Sequence, residues 1–270
     1  MDLALTMAVG PRSSEFAAVV QAPIVEEIAK GLGVFLIFVI ARANFDGPVD
    51  GVVYGALVGA GFAFTENIQY FAVSLIEGGG AELTATFFMR AIMSPFAHAM
   101  FTALTGFAIG LVARRGGSVS AAFTAGLVGL LGAIVLHAFW NGSAVYANFF
   151  ALYVTLQIPL FVGFILAIVA LRREEARLTY ERLGDYAHAG WFTPQEVTML
   201  ATKQGRRAGL AWAAALRGDR TELMKSFIKD ATALAALRQR AISGRDPHTA
   251  ERERMLLART TATRQALLAY

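Results

Sequence analysis

Five apolar runs of about 20 residues, each long enough to cross a bilayer as a helix, dominate this chain and leave little room for any fold other than a membrane helical bundle. They fall near residues 20–41, 51–75, 86–113, 119–140 and 147–171. The connectors between them, ARANFDGPVD, IEGGGAEL, ARRGGSVS and the stretch after Trp140, carry the Gly, Pro, Asn or charge of turns. Composition agrees: 56% of residues are hydrophobic and only 16% charged, well below the quarter typical of soluble domains. The fold expected is all-α, a polytopic transmembrane bundle followed by a small helical region.

Charge divides the chain at the last run. Residues 1–171 hold 6 Lys/Arg and 9 Asp/Glu, a net of −3, whereas residues 172–270 hold 18 and 11, a net of +7. The expected domains are therefore a membrane core, 1–171, and a basic helical tail, 172–270. A basic region directly after a span follows from topology and lipid charge, and sparse aromatic interleaving argues against nucleic acid as a partner. Arg42, Arg114, Arg115, Arg172 and Arg173 follow the odd-numbered spans, which places those ends and the tail in the cytoplasm and residues 1–19 outside. The N-terminal 16 residues lack the layout of a signal peptide.

Within four of these apolar runs stand groups that are costly in lipid: Glu26, Glu27 and Lys30; Glu66 and Asn67; His98 and Thr102; His137 and Asn141. With the orientation above, all five titratable acids and imidazoles fall in the outer half of the bilayer; Glu66, for example, lies roughly 22 Å from the inner end of its span at 1.5 Å per residue. Residues four apart share a helix face, so Glu26 stacks with Lys30, His98 with Thr102, and His137 with Asn141. Three carboxylates close together are not all expected to ionise, so at least one is expected to carry a proton near neutral pH, and a carboxylate poised there is what general-base activation of water requires. Arg90 is expected to snorkel to the outer interface in preference to pairing with the carboxylates, Trp140 to anchor at that interface in preference to walling the site, and the Gly51, Gly55, Gly59 and Gly106, Gly110 series to let helices approach closely.

The chain has no cysteine, which excludes thiolate catalysis and Cys-based zinc sites, and it has neither an HExxH pair nor a G-x-S-x-G element. Glu27, Glu66, His98 and His137 are of the right type to hold zinc. A glutamate-activated water without metal and a zinc site both stay open, with the former favoured. The buried charges also allow a second class, a non-catalytic proton- or ion-coupled transporter or scaffold, although no repeat symmetry supports it.

The segments APIVEEIAK (22–30), FAFTEN (62–67), HAMFT (98–102) and HAFWN (137–141) resemble, in order, the four motifs of the PrsW family of intramembrane proteases, a branch of the superfamily that includes the CAAX-processing and bacteriocin-immunity-type membrane peptidases. The resemblance implies a multi-pass enzyme of the plasma membrane that cuts membrane-anchored proteins near the outer face, with an anti-sigma factor as one substrate class. It further implies Glu26 or Glu27 as the base, assisted by Glu66 and His98, with His137 and Asn141 as oxyanion donors. Lys30, Asn67 and Thr102, which stand in the same motifs, would support them; Arg90, outside the motifs, is a further supporting candidate.

In the tail, RREEARLTYERL predicts that the fifth span continues as a solvated helix, and Thr193-Pro194-Gln195-Glu196 is a helix-start signal. Further helices are expected near 219–242 and 247–268, broken by Ser243–Pro247, with His188 and His248 away from the membrane site.

Overall fold

A computed structural model describes residues 13–146, 148–242 and 249–269; the expected break at Ser243–Pro247, His248 and the first 12 residues lie outside these. Among the described residues there is no strand. The chain divides into two compact units, one comprising the residues up to Ala113 with Ser118–Ile168, the other Arg114–Gly117 with Val169 onward.

The membrane unit is inside-out relative to a soluble domain. Large apolar side chains such as Leu32 (65% exposed) and Ile76 (82%) point outward, while Glu27, Lys30, Thr102, His137 and Gln157 are buried. Only lipid makes such an arrangement favourable, because water would leave the apolar surface uncovered and the buried polar groups uncompensated. Among the described residues, three helical stretches are long and apolar enough to cross a membrane: Pro48–Arg114, Val119–Tyr146 and Phe149–His188.

Helix α1 (Ala22–Ile40) follows a short turn, Ser14–Phe16, and a π-helical segment, Ala17–Gln21. Helix α2 runs Pro48–Phe87, opened by Asp50, whose carboxylate accepts from the Asp46 and Gly47 amides at 2.8 and 3.2 Å. It is broken at Gly79, where φ of +69° is a left-handed conformation that side-chain-bearing residues resist. The IEGGGAEL connector thus makes its turn as a kink. The expected third span is likewise split: Phe88–Met93 is π-helical, and after a break at Ser94–Phe96 a separate helix, α3 (Ala97–Arg114), carries His98. Helix α4 is Val119–Tyr146; Phe149–Leu152 and the π-helical Tyr153–Gln157 then lead into α5 (Ile158–His188).

Glycines set how closely these helices pass. A Cβ on Gly51 would meet the Gly106 carbonyl oxygen at 2.0 Å, one on Gly55 that of Thr102 at 2.7 Å, and one on Gly59 that of His98 at 2.3 Å. Helices α2 and α3 therefore touch backbone to backbone along three turns, the use anticipated for small residues in membranes. On the opposite side of α3, a Cβ on Gly129 would lie 2.6 Å from the Leu104 carbonyl oxygen, bringing α4 in as closely. Val34, Phe38, Phe45, Ile109 and Ala122 fill one core, and Met100, Phe101, Ala133 and Trp140 a second. Trp140 is thus a core residue, edge-on to Phe101 and Phe96, and not the interfacial anchor expected from its place in the sequence.

The second unit packs the later part of α5 with α6 (Pro194–Ala201), α7 (Lys203–Ala215), α8 (Thr221–Ile242) and α9 (Thr249–Leu268) around Leu183, Phe227, Leu234, Leu257 and Leu267. The start signal at Thr193 forms a reciprocal cap: Thr193 Oγ1 accepts from the Glu196 amide at 3.1 Å, and Glu196 accepts from the Thr193 amide at 2.7 Å. Asp230, buried on α8, accepts from Arg259 at 2.8 Å. The buried Tyr186 hydroxyl donates to Glu253, and burial together with that carboxylate raises the phenol above its ordinary range. A raised acid favours the protonated folded form, so this contribution is complete below the ordinary tyrosine pKa and is lost only as pH climbs through the elevated one. Tyr186→Phe is accordingly expected to cost about 1–2 kcal/mol at neutral pH and to remove a late-titrating phenol from an absorbance titration at 295 nm.

Candidate active site

Lys30 is the hub of a cluster built from α1, α2 and α3 and joined, through Glu27, to α4. Its ammonium has three N–H donors and three acceptors: Glu26 at 3.2 Å, Glu27 at 2.8 Å and His98 Nδ1 at 2.9 Å. The same nitrogen lies 4.0 Å from the centre of the Phe62 ring, which adds a cation–π contact. A buried lysine is tolerable only when satisfied in this way.

Glu27 is fully buried and accepts from every side: Lys30, Thr102 Oγ1 at 3.0 Å and His137 Nδ1 at 3.0 Å. Three donors define it as a carboxylate, and they fix the tautomer of His137, whose Nδ1 carries the proton and whose Nε2 presents a lone pair. His98 is the mirror case. Because its Nδ1 accepts from Lys30, its Nε2 carries the proton and donates to Glu66 at 3.1 Å, leaving neither ring nitrogen free. The two imidazoles, 39 residues apart in the chain, meet edge to face with centroids 4.9 Å apart, and Phe101 stacks on His137.

Glu66 is held from the other side by Arg90, whose Nη2 donates to it at 2.5 Å while Nε donates to Asn67 Oδ1 at 2.7 Å. The guanidinium also covers Tyr70 at 3.8 Å. Arg90 therefore turns inward as the charge partner of Glu66, and the snorkelling expected of it is corrected: the π-helical segment carries it to Glu66 and Asn67 on α2, where a bidentate acceptor pair outweighs the interface. Removing it would free Glu66 and, through Glu66, loosen His98. Arg90→Ala is expected to lower the melting temperature of the membrane unit by leaving Glu66 without its cation, with Arg90→Lys recovering only part because one ammonium cannot reproduce the forked contact. Circular-dichroism melts of the two variants in detergent check this.

Glu26 differs from its neighbours. Its side chain is 14% exposed, as is that of Glu66, but its bond to Lys30 is the longest of the three, and it faces His137 Nε2 across 3.9 Å. Of the three clustered carboxylates it combines the loosest contacts with access. Asn141 lies one turn beyond His137 and is not drawn into the cluster; its Nδ2 donates to the Ala18 carbonyl at 2.9 Å, in the π-helical segment before α1.

Nine of the ten sequence-derived residues, Glu26, Glu27, Lys30, Glu66, Asn67, Arg90, His98, Thr102 and His137, are thus joined in one network, with Asn141 at its edge. Sequence reading missed Ser143 and Gln157, both buried: Gln157 donates to Ser143 at 2.5 Å, and Ser143 to the Trp140 carbonyl at 2.7 Å, bracing the end of α4. The signal was present, since Gln157 is an amide inside an apolar run and satisfies the criterion that singled out Asn67 and Asn141.

The architecture and the cluster together define a helical integral membrane protein organised around buried acid–base groups. Comparison with known proteins makes this specific. Residues 2–168 match the PrsW family intramembrane metalloprotease model, and the chain belongs to that family. It is 37% identical over 93 residues to a Protease PrsW of Geobacillus kaustophilus, 36% over 97 residues to one of Bacillus subtilis and 32% over 90 residues to one of Oceanobacillus iheyensis. These alignments cover 34%, 36% and 33% of this chain and 37%, 40% and 38% of the respective relatives, so the chain spans well under half the length of the curated relatives it matches. No solved structure matches.

The family description implies a metal. Glu26, His98 and His137 offer donor atoms within 4.8 Å of one another, a His2Glu set of the type that holds catalytic zinc. As arranged, however, the set does not fit an ion, because Lys30 already holds the His98 Nδ1 lone pair and Glu26. Glu27 and Glu66, also of zinc-binding type, are engaged with the outward nitrogens of the two imidazoles.

Proposed function

We propose that this chain is an intramembrane endopeptidase in which Glu26 activates the attacking water. The observation that carries the reading is the facing pair of acceptors, the Glu26 carboxylate and the His137 Nε2 lone pair, 3.9 Å apart at the accessible side of the cluster. One water molecule can donate an O–H to each at hydrogen-bond distances of about 2.8 Å. Glu26 takes one proton as the water oxygen bonds to the scissile carbonyl carbon, and returns it to the leaving nitrogen as the C–N bond breaks. Lys30 and Glu27 keep the charge balanced, and His137 in this tautomer holds the water.

Oxyanion stabilisation then falls to Asn141. Its present acceptor is a backbone carbonyl, that of Ala18, so a substrate carbonyl of the same chemistry can replace it. The substrate is a membrane-anchored protein, entering in extended form, and the positive-inside count puts the cut near the outer face with the tail cytoplasmic. Anti-sigma factors are one class with this topology.

Co-expression with a panel of single-span membrane proteins tagged at both ends tests the reading. Wild type should release a fragment whose new terminus, by mass spectrometry, maps to the outer half of the span, and Glu26→Ala and His137→Ala should not. Persistent cleavage by both variants would sink it.

A further inference from the structure

The two imidazoles of the cluster are arranged as metal ligands usually are, with a carboxylate on the outward nitrogen of each: Glu66 on His98 and Glu27 on His137. Such pairs leave one ring nitrogen of each imidazole, His98 Nδ1 and His137 Nε2, facing away from its carboxylate, and His98, His137 and Glu26 offer donor atoms within 4.8 Å of one another. The cation found at two of these three groups is an ammonium. His98 Nδ1 has one lone pair, and Lys30 Nζ takes it at 2.9 Å; Glu26 is bonded to the same nitrogen at 3.2 Å. An ion bound about 2.0–2.2 Å from those same atoms would need that lone pair and would meet a positive charge a few ångströms away, in surroundings where water screens little.

We propose that Lys30 is the resident cation of this cluster, an internal side chain in the place of a metal, and that its ammonium closes the Glu26–His98–His137 group to divalent ions. Removing the lysine opens a preformed His2Glu site whose imidazoles are already oriented by Glu66 and Glu27. The inference deepens the reading of Glu26 as a base that works without metal and takes its catalytic meaning from it, but metal uptake can be measured whether or not any peptide is cut.

The test uses the full chain purified in detergent and titrated with cobalt(II), read by equilibrium dialysis and by visible absorption, where tetrahedral cobalt gives intense bands. Wild type is compared with Lys30→Met and with the charge-balanced Lys30→Met/Glu27→Gln, which keeps all three donors and guards against misfolding of the single variant. The expected result is one cobalt per chain in the variants, bound at least about 100-fold more tightly than by wild type. Adding His137→Ala should abolish that uptake. Wild type binding one cobalt as tightly as the lysine variants would overturn the proposal, as would failure of both folded variants to bind it. Cobalt uptake as expected with no cleavage of any substrate would remove the peptidase reading alone, and cleavage lost in Glu26→Ala together with tight cobalt binding by wild type would remove only the role given to Lys30.

Discussion

Glu26→Gln is expected to lower peptide cleavage by about 10²–10⁴-fold with the chain still folded, whereas Glu27→Gln is expected to unfold the membrane unit. The two residues are adjacent in sequence and opposite in situation. Glu26 is partly accessible and bonded to Lys30 at 3.2 Å, so an amide there keeps a hydrogen-bond acceptor for the lysine and removes only the ability to take a proton. Glu27 is completely buried and receives donors from Lys30, Thr102 and His137, on three helices. Neutralising it leaves the Lys30 charge undercompensated in a dry interior, a class of change that costs about 3–5 kcal/mol. Circular-dichroism melts in detergent and cleavage of a co-expressed substrate separate the two effects. A folded Glu27→Gln protein without activity beside an active Glu26→Gln protein would reverse the assignment.

Gly59→Val should be strongly damaging although it lies outside the charged cluster. Even a methyl group at Gly59 would sit 2.3 Å from the backbone oxygen of His98, and backbone in a helix cannot yield as a flexible side chain can. Valine therefore forces α2 and α3 apart at the level where His98 contacts Lys30 and Glu66. Overpacking of this kind costs about 1–3 kcal/mol or more, and it displaces a residue whose two ring nitrogens are both committed. Melting temperature and activity should fall together. Gly61→Ala, two residues on, is the matched control: its Cβ would meet nothing within 4 Å, and both readouts should stay near wild type.

The helical class, the membrane setting and the identity of the polar residues were legible because lipid imposes a strict rule on sequence: long apolar runs are spans, and polar groups inside them need partners. The close α2–α3 contact was legible in the four-residue spacing of Gly51, Gly55 and Gly59 for the same reason. Which partner each group takes was not legible. Arg90 lies on a π-helical segment that turns it toward Glu66, and the pattern of one apolar run does not reveal an inserted residue or the break at Ser94–Phe96 that separates Arg90 from His98's helix. Trp140 lies near the end of a run yet is covered by Phe96 and Phe101, because neighbouring helices and not sequence position decide burial. The different fates of Glu26 and Glu27 also escape spacing arguments, since consecutive residues point about 100° apart and only the partner helices decide which direction is closed.

Lys30, satisfied by acceptors on two helices and paired with acids on its own, has a bearing on how the protein is made. Among the described residues, the stretches apolar enough to cross a membrane begin at Pro48, Val119 and Phe149, while α1 carries Glu26, Glu27 and Lys30 in its first half. Each charge near the centre of a lone helix opposes insertion by about 2.5–3.5 kcal/mol. Helix α1 reaches neutral surroundings only after α3 has supplied His98 and Thr102 and α4 has supplied His137, more than a hundred residues of synthesis later. Helix α1, made before α3 and α4, therefore settles only after them, and the polar cluster acts as the latch that recruits it into the finished bundle.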